Sequence, residues 1–289
     1  MMSRAICLLA ILGLGVGGLG GAICLTAWGG DVPAKAAAPA PASATPASSP
    51  APASPGGQVV ILKFDDVVQN ADANQPAPAG WLRMADYVEK NNIKAGFGIL
   101  CESLEKDNKA YFDWIKERQK NGIIEFWLHG YRRRGAEQAG EFETGTAAEQ
   151  AAILVKSETL AKEKLGFSLT AFGEHYSGVT VETEKAMETV PEIKVWLYGP
   201  RNSKNYTRLS IPRVMGLEHK TFQLDLDKFK AAYEKVGAKE KVLVLQGHAN
   251  AWDATRFETF TKIIDFLKAK NSVFMTPSEY LKTVPAKGP

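Results

Sequence analysis

From residue 57 onward the sequence predicts an α/β fold: a distorted (β/α) barrel of about seven parallel strands, with an open doubly wound parallel sheet as the alternative. Three observations lead there. Short apolar runs alternate with amphipathic segments, the pattern of parallel strands joined by helices. About seven such units share about 230 residues, which crowds a small open sheet more than a barrel. The polar side chains capable of chemistry follow the apolar runs, where parallel α/β folds collect their sites.

Strands are expected at Val59 to Phe64, Ala95 to Leu100, Ile123 to Leu128, Leu169 to Phe172, Lys194 to Tyr198, Val242 to Gln246 and Ser272 to Met275. Helical spacing falls between them. Trp81, Ala85 and Val88 share one face, and Tyr111, Phe112 and Ile115 another, with Asn121-Gly122 as a stop. Thr146 with Glu149 reads as a capping box opening a helix that runs to Gly166, and Asp253 opens a helix carrying Phe257, Phe260, Ile264 and Leu267. Those aromatic stripes are core.

Upstream of this domain, 57–289, the chain has a different character. Arg4 precedes an apolar, glycine-rich stretch from Ala5 to Ala27, so residues 1–30 read as a signal peptide or membrane anchor and imply export. Residues 31–56 are almost wholly Ala, Pro and Ser, too poor in large apolar groups to repay ordering, and read as a disordered, extended linker. Cys7 and Cys24 belong to the leader, which leaves Cys101 alone in the folded part as a small buried hydrophobe. The formal charge of +3 is small and its basic residues are scattered, so nothing calls for nucleic acid or an anionic membrane surface. Membrane contact is expected only through the N-terminal segment. His219, beside Lys220, reads as surface, and Asn205-Tyr206-Thr207 is a glycosylation sequon by pattern alone.

Asp65 and Asp66 end the first apolar run, His129 ends the third, Glu174-His175-Tyr176 follow the fourth, and His248 follows the sixth. Histidines and carboxylates gathered at a strand-end mouth are the ingredients of a zinc-type hydrolytic site. Four segments carry a resemblance: Phe64-Asp65-Asp66, Leu128-His129-Gly130-Tyr131, Ala171-Phe172-Gly173-Glu174-His175-Tyr176 and Leu245-Gln246-Gly247-His248. In that order they resemble the motifs of the NodB-homology polysaccharide deacetylases, carbohydrate esterase family 4, over about residues 58 to 283.

The resemblance implies a distorted (β/α) barrel and a metal-dependent hydrolase that removes N- or O-acetyl groups from an acetylated polysaccharide or cell-wall glycan. Asp65 then resembles the general base, Asp66 and His129 resemble metal ligands, and zinc is the expected divalent ion. His248 resembles the histidine that protonates the leaving group, and the Tyr176 backbone N–H would stabilise the oxyanion. Tyr131, Arg133 and Trp252 are expected to contact substrate, and Trp196 and Tyr198 are further aromatic faces a sugar could stack on.

Three departures accompany these matches. Arg133 stands where the family's second metal histidine is expected, and arginine cannot ligate a metal, so either Glu174 or His175 substitutes in the ion's shell or the site binds metal poorly. Gly173 or its neighbours stand where the family often carries an arginine that steadies the base, and Val195 to Gly199 lacks the acid expected to tune His248. Arg133 favours a second reading, a non-catalytic carbohydrate-binding pseudoenzyme on the same fold. Asp65 and His248 favour the enzyme.

Overall fold

The computed structural model describes residues 56–135 and 138–285, so the leader and most of the linker expected from the sequence lie outside the described residues. The elements run β1 (Val59–Val67), α1 (Ala79–Lys90), β2 (Ala95–Ile99), α2 (Lys109–Asn121), β3 (Ile124–Leu128), α3 (Ala147–Leu165), β4 (Ala171–Phe172) and α4 (Val181–Glu188). They continue with β5 (Val195–Leu197), β6 (Leu209–Ile211), α5 (Leu226–Lys235), β7 (Val242–Gly247), α6 (Ala254–Ala269), β8 (Val273–Phe274) and α7 (Pro277–Thr283). All named strand pairs are parallel, in the order β6-β5-β4-β3-β2-β1-β7, with β8 also on β1. The result is a curled sheet with helices on its outside, an α/β distorted barrel. β6 is an eighth strand beyond the seven expected; it has only three residues, two of them half-buried, and Pro212 follows at once.

The caps form as their sequences demand. Thr146 and Glu149 exchange the reciprocal bonds of a capping box, the Asp253 side chain accepts the Arg256 N–H, and Gly122 leaves α2 in the left-handed region at φ 74°.

Strand parity divides the interior. Along β1, Val60, Leu62 and Phe64 join the large cluster that meets the helices, whereas Val59 and Ile61 join a smaller cluster with Trp127, Ala171, Val195, Leu197 and Val244. This second cluster is the inside of the curl, and Met275, Tyr280 and Leu281 pack against it. The same parity puts Lys63 and Asp65 of β1, Glu125 and Trp127 of β3 with His129 just past it, and Val244 and Gln246 of β7 with His248 just past it on that inner side. The interior is therefore apolar in its middle and polar toward the carboxyl ends. Two glycines make this layering fit: a Cβ on Gly98 would lie 2.4 Å from the Trp127 ring, and one on Gly173 would lie 2.8 Å from the Lys63 side chain.

Among the described residues β6 and β7 do not pair, so the barrel is not closed by a ladder. Tyr198, just past β5 with φ 75°, spans the gap instead: its hydroxyl donates to the Val244 carbonyl at 3.2 Å and accepts the Gln246 N–H at 3.0 Å. Removing that hydroxyl leaves two buried main-chain groups unpartnered. Tyr198→Phe is expected to lower stability by about 1–3 kcal/mol, read as a shifted urea midpoint with unchanged slope.

Candidate active site

The site begins with an irregularity in β1. In a regular strand Asp65 and Asp66 would face opposite sides of the sheet. Here the pairing with β2 shifts register between Phe64 and Val67, and Asp66 takes φ 73°, so the strand bulges and re-aims the second carboxylate. The strand then continues to Val67 rather than stopping at the doublet. Aspartate tolerates the left-handed region better than most residues, which is why this position can hold it.

Asp66 meets two imidazoles. Its Oδ1 lies 3.4 Å from His129 Nε2 and 3.3 Å from His175 Nε2, and donor atoms of the three residues all fall within 4.8 Å of one another. His129 is buried, with Nδ1 2.6 Å from the Gly173 carbonyl; since a carbonyl can only accept, Nδ1 carries the proton and Nε2 offers its lone pair. His175 is held less tightly: its Nδ1 accepts the Arg134 N–H across a long 3.4 Å, which places the neutral ring's proton on Nε2, so binding an ion at Nε2 requires that proton to leave or to move to Nδ1. Burial, helped by the nearby His129 and opposed by Asp66 and Asp65, brings the His175 pKa down to about 4 and keeps the ring neutral, as a ligand must be. Burial raises the Asp66 pKa, but the positive charge that His129, His175 and His248 bring when protonated outweighs it, so the net direction is downward and favours the carboxylate. Asp66 Oδ1 is buried and makes no hydrogen bond. An orphaned carboxylate oxygen between two imidazole nitrogens fits a divalent cation, and the O,N,N donor set is one zinc accepts.

His175 rather than Glu174 thus comes to this spot. Glu174 is buried, accepts the Trp196 indole N–H at 2.9 Å, and is pushed up in pKa by burial. Arg133 is exposed and takes no part; its main-chain N–H donates to Glu102, as those of Tyr131 and Arg132 donate to Glu141.

Asp65 is wholly buried, with Lys63 Nζ at 2.7 and 2.8 Å from its two oxygens and the Gln246 amide donating to Oδ2. Lys63 is itself 1% exposed and lies between two rings, 4.7 Å from Trp127 and 5.0 Å from Tyr198. Burial works against ionisation of Asp65, yet the charges of Lys63, His129 and His248 hold its pKa below the ordinary value. Lys63 therefore holds the Asp65 carboxylate from within its own strand, where no arginine is present to do so. Its one sequence trace is a lone charge inside an apolar strand, two residues before the acid.

The acid missing from Val195 to Gly199 is Glu218, in the irregular chain after β6. It is buried, lies 2.8 Å from His248 Nδ1, and accepts the main-chain N–H groups of His248 (2.9 Å) and Phe222 (2.8 Å) and the Trp252 indole N–H (2.7 Å). Burial draws the His248 pKa down, but the bond to Glu218 and the charges of Asp65, Glu218 and Asp66 carry it above the usual histidine value.

These groups open into a cavity of about 430 Å³, lined among others by Tyr176, Arg213, Lys220 and Phe222. Tyr176 stands at its edge with φ 69° and an exposed ring under the Arg134 guanidinium. The expected substrate contacts Tyr131, Arg133 and Trp252 do not line it. Trp252 is buried in the helix-facing core against Phe64 and Phe260, and the Tyr131 hydroxyl is taken up by Glu105 and Lys156. Trp196 and Tyr198 are buried as well; the exposed aromatics at the cavity are Tyr176 and Phe222.

No protein-family model and no curated protein sequence matches the chain. Solved structures do. A family 4 acetyl xylan esterase from Clostridium thermocellum, in complex with a cobalt ion, superposes with TM-score 0.52 at 16% identity, over 80% of this chain and 94% of that one. A peptidoglycan deacetylase from Bacillus subtilis gives 0.50 at 17%, over 79% and 93%. A CE4 family pseudoenzyme from Bacillus anthracis gives 0.53 at 13%, over 79% and 67%. The fold is that of the CE4 structures.

Two outcomes follow from the paired charges. Lys63→Met leaves a buried carboxylate without its cation and is expected to cost about 3–5 kcal/mol, much of it recovered in the Lys63→Met/Asp65→Asn double variant, as chemical denaturation would show. Glu218→Gln removes the charge that raises the His248 pKa, so the His248 midpoint in an NMR pH titration is expected to fall. With it goes stability that is full below the unfolded-state histidine pKa and is lost as pH rises through the native one.

Proposed function

We propose that the chain is a metal-dependent carbohydrate deacetylase, hydrolysing N- or O-acetyl groups of an acetylated polysaccharide such as a cell-wall glycan. The observation that carries this reading is the convergence of Asp66, His129 and His175 beside Asp65, across one cavity from His248. Asp66, His129 and His175 would hold the ion, with zinc the metal the donor set favours. A divalent cation there supplies a Lewis acid that polarises a carbonyl and makes water acidic.

The chain's own groups do the rest. Asp65, fixed by Lys63 and Gln246, accepts the proton released as water adds to the acetyl carbonyl. The Tyr176 main-chain N–H, at the cavity edge, stabilises the developing oxyanion. His248 is oriented through Nδ1 by Glu218 and donates from Nε2 to the departing amine or alcohol, giving acetate and the free sugar group. The His248 pKa is raised above the ordinary histidine value by Glu218 and the nearby carboxylates, which favours the protonated form this step uses.

Arg133 was the feature favouring a non-catalytic carbohydrate-binding protein, and His175 supplies the donor atom that arginine cannot. The proposal extends to export, to the periplasm, cell envelope or medium, on the composition of residues 1–30.

Purified protein dialysed against zinc is expected to retain about one divalent ion and to release acetate from an acetylated glycan, and chelation is expected to stop release. Asp65→Asn should lower the rate by at least about 100-fold while the ion stays bound. Negligible metal content, together with equal behaviour of wild type and Asp65→Asn, overturns the proposal.

A further inference from the structure

Around the cavity the cations are left without partners. Among the described residues the arginines elsewhere are engaged: Arg118, Arg132, Arg134, Arg201 and Arg256 with carboxylates, and Arg83 and Arg208 with main-chain carbonyls. Arg133 and Arg213 differ, since neither guanidinium makes a hydrogen bond or ion pair. Arg213 lines the cavity, with its guanidinium 5.1 Å from the Tyr198 ring, and Arg133 is close enough to bear on His175. Lys220 also lines the cavity, is exposed, and has no carboxylate partner.

The acids on the cavity wall cannot neutralise these cations, because Asp65 is bound to Lys63, Glu218 to His248, and Asp66 lies between two imidazoles. The segment presenting Lys220 is also built rather than loose. Its Phe222 N–H is held by Glu218, Lys220 and Gln223 form an antiparallel bridge, and Phe222 sits at φ 66° with its exposed ring 4.9 Å from His248, edge to face. Glu218 thus faces inward to orient His248 while the next four residues turn Lys220 and Phe222 toward the cavity.

Position gives this rim a meaning, which rests on the deacetylase reading. His248 protonates the leaving group, and the leaving group is the sugar. The sugar ring therefore lies on the His248 side, against Phe222 and within the reach of Lys220 and Arg213. An aromatic face beside two unpaired cations suits a sugar bearing a carboxylate: the ring stacks, and a planar guanidinium meets a planar anion. We propose that the substrate is an anionic glycan, with uronic acid-type carboxylates on or next to the acetylated sugar, read by Arg213 and Lys220.

The test compares matched glycans. Hyaluronan hexasaccharide alternates glucuronate with N-acetylglucosamine, and chitohexaose carries N-acetylglucosamine alone; O-acetylated polygalacturonate and O-acetylated xylan form the corresponding ester pair. For each pair both kcat/KM for acetate release and Kd by calorimetry are measured on the zinc-loaded protein. The carboxylated member is expected to be favoured about fivefold or more at low salt, with the advantage shrinking toward unity at about 0.5 M NaCl. In Arg213→Gln/Lys220→Gln the ratio is expected to approach one, and a ratio does not depend on the fraction of folded protein. Equal kcat/KM and Kd within both pairs, a preference for the neutral members, or binding of none of the four overturns the proposal. Acetate release with no charge preference overturns it alone and leaves the deacetylase standing. A charge preference in Kd without acetate release supports the rim and overturns the enzyme.

Discussion

The buried pair of Lys63 and Asp65 is the constraint on which the rest of the site depends. Two charges, each about 1% exposed, have been taken out of water on one strand, and their desolvation is offset only if every bond is made well. The fold meets that condition from several directions. Parity places the two residues on one face, Gly98 and Gly173 leave room for the Trp127 ring and the lysine stem, Tyr198 covers the ammonium, and Gln246 fills a remaining acceptor on Asp65. Tyr198 and Gln246 also belong to the seam between β5 and β7, so the contacts that fix the carboxylate are the ones that hold the barrel's open edge. Site and fold share residues.

Much of this architecture was legible in the sequence because it follows from periodicity and capping. Seven strand runs, the Thr146–Glu149 box, the Asp253 cap and the Gly122 stop are local rules, and the structure obeys them. The motif residues Asp66, His129 and His248 could be placed at strand ends for the same reason. What escaped was decided by tertiary direction. Lys63 hid in an apolar run, since a strand buried on both faces shows no alternation to betray which side a charge takes. Glu218 lies in irregular chain, where no period marks it. The choice of His175 over Glu174 turned on the backbone beside Tyr176 at φ 69° and on a Trp196 indole that needed an acceptor, neither of which spacing reveals.

Aromatic residues show the same division. Trp196, Tyr198 and Trp252 lie at or near strand ends, where a sugar platform would be useful, yet all three are buried. Their volume fills the interior, and their polar tips are spent on Glu174, the β7 edge and Glu218. The rings that face the cavity, Tyr176 and Phe222, both sit at positive φ in irregular segments, and each leans on a site imidazole, His175 and His248 respectively. Positive φ alone does not decide display, since Tyr198 at φ 75° is buried; the exposed pair lies in irregular chain at the cavity mouth.

The charges of the site finally argue for a cation on electrostatic grounds alone. Asp65, Asp66 and Glu218 are three carboxylates in a mostly buried mouth, and Lys63 and His248 answer two of them through direct bonds. The remaining negative charge falls on Asp66, whose neighbours are a lone-pair nitrogen of His129 and the ring of His175, which burial holds neutral. Neither can neutralise it as imidazole, and its Oδ1 has no donor. A cation between the three atoms would take the idle lone pair of His129, the His175 nitrogen and the unanswered charge as ligands, without disturbing either of the completed pairs. The pairs Lys63–Asp65 and His248–Glu218 therefore bear on this position too: by answering Asp65 and Glu218 directly, they leave Asp66, with its Oδ1 unbonded, as the carboxylate on the cavity wall open to a cation.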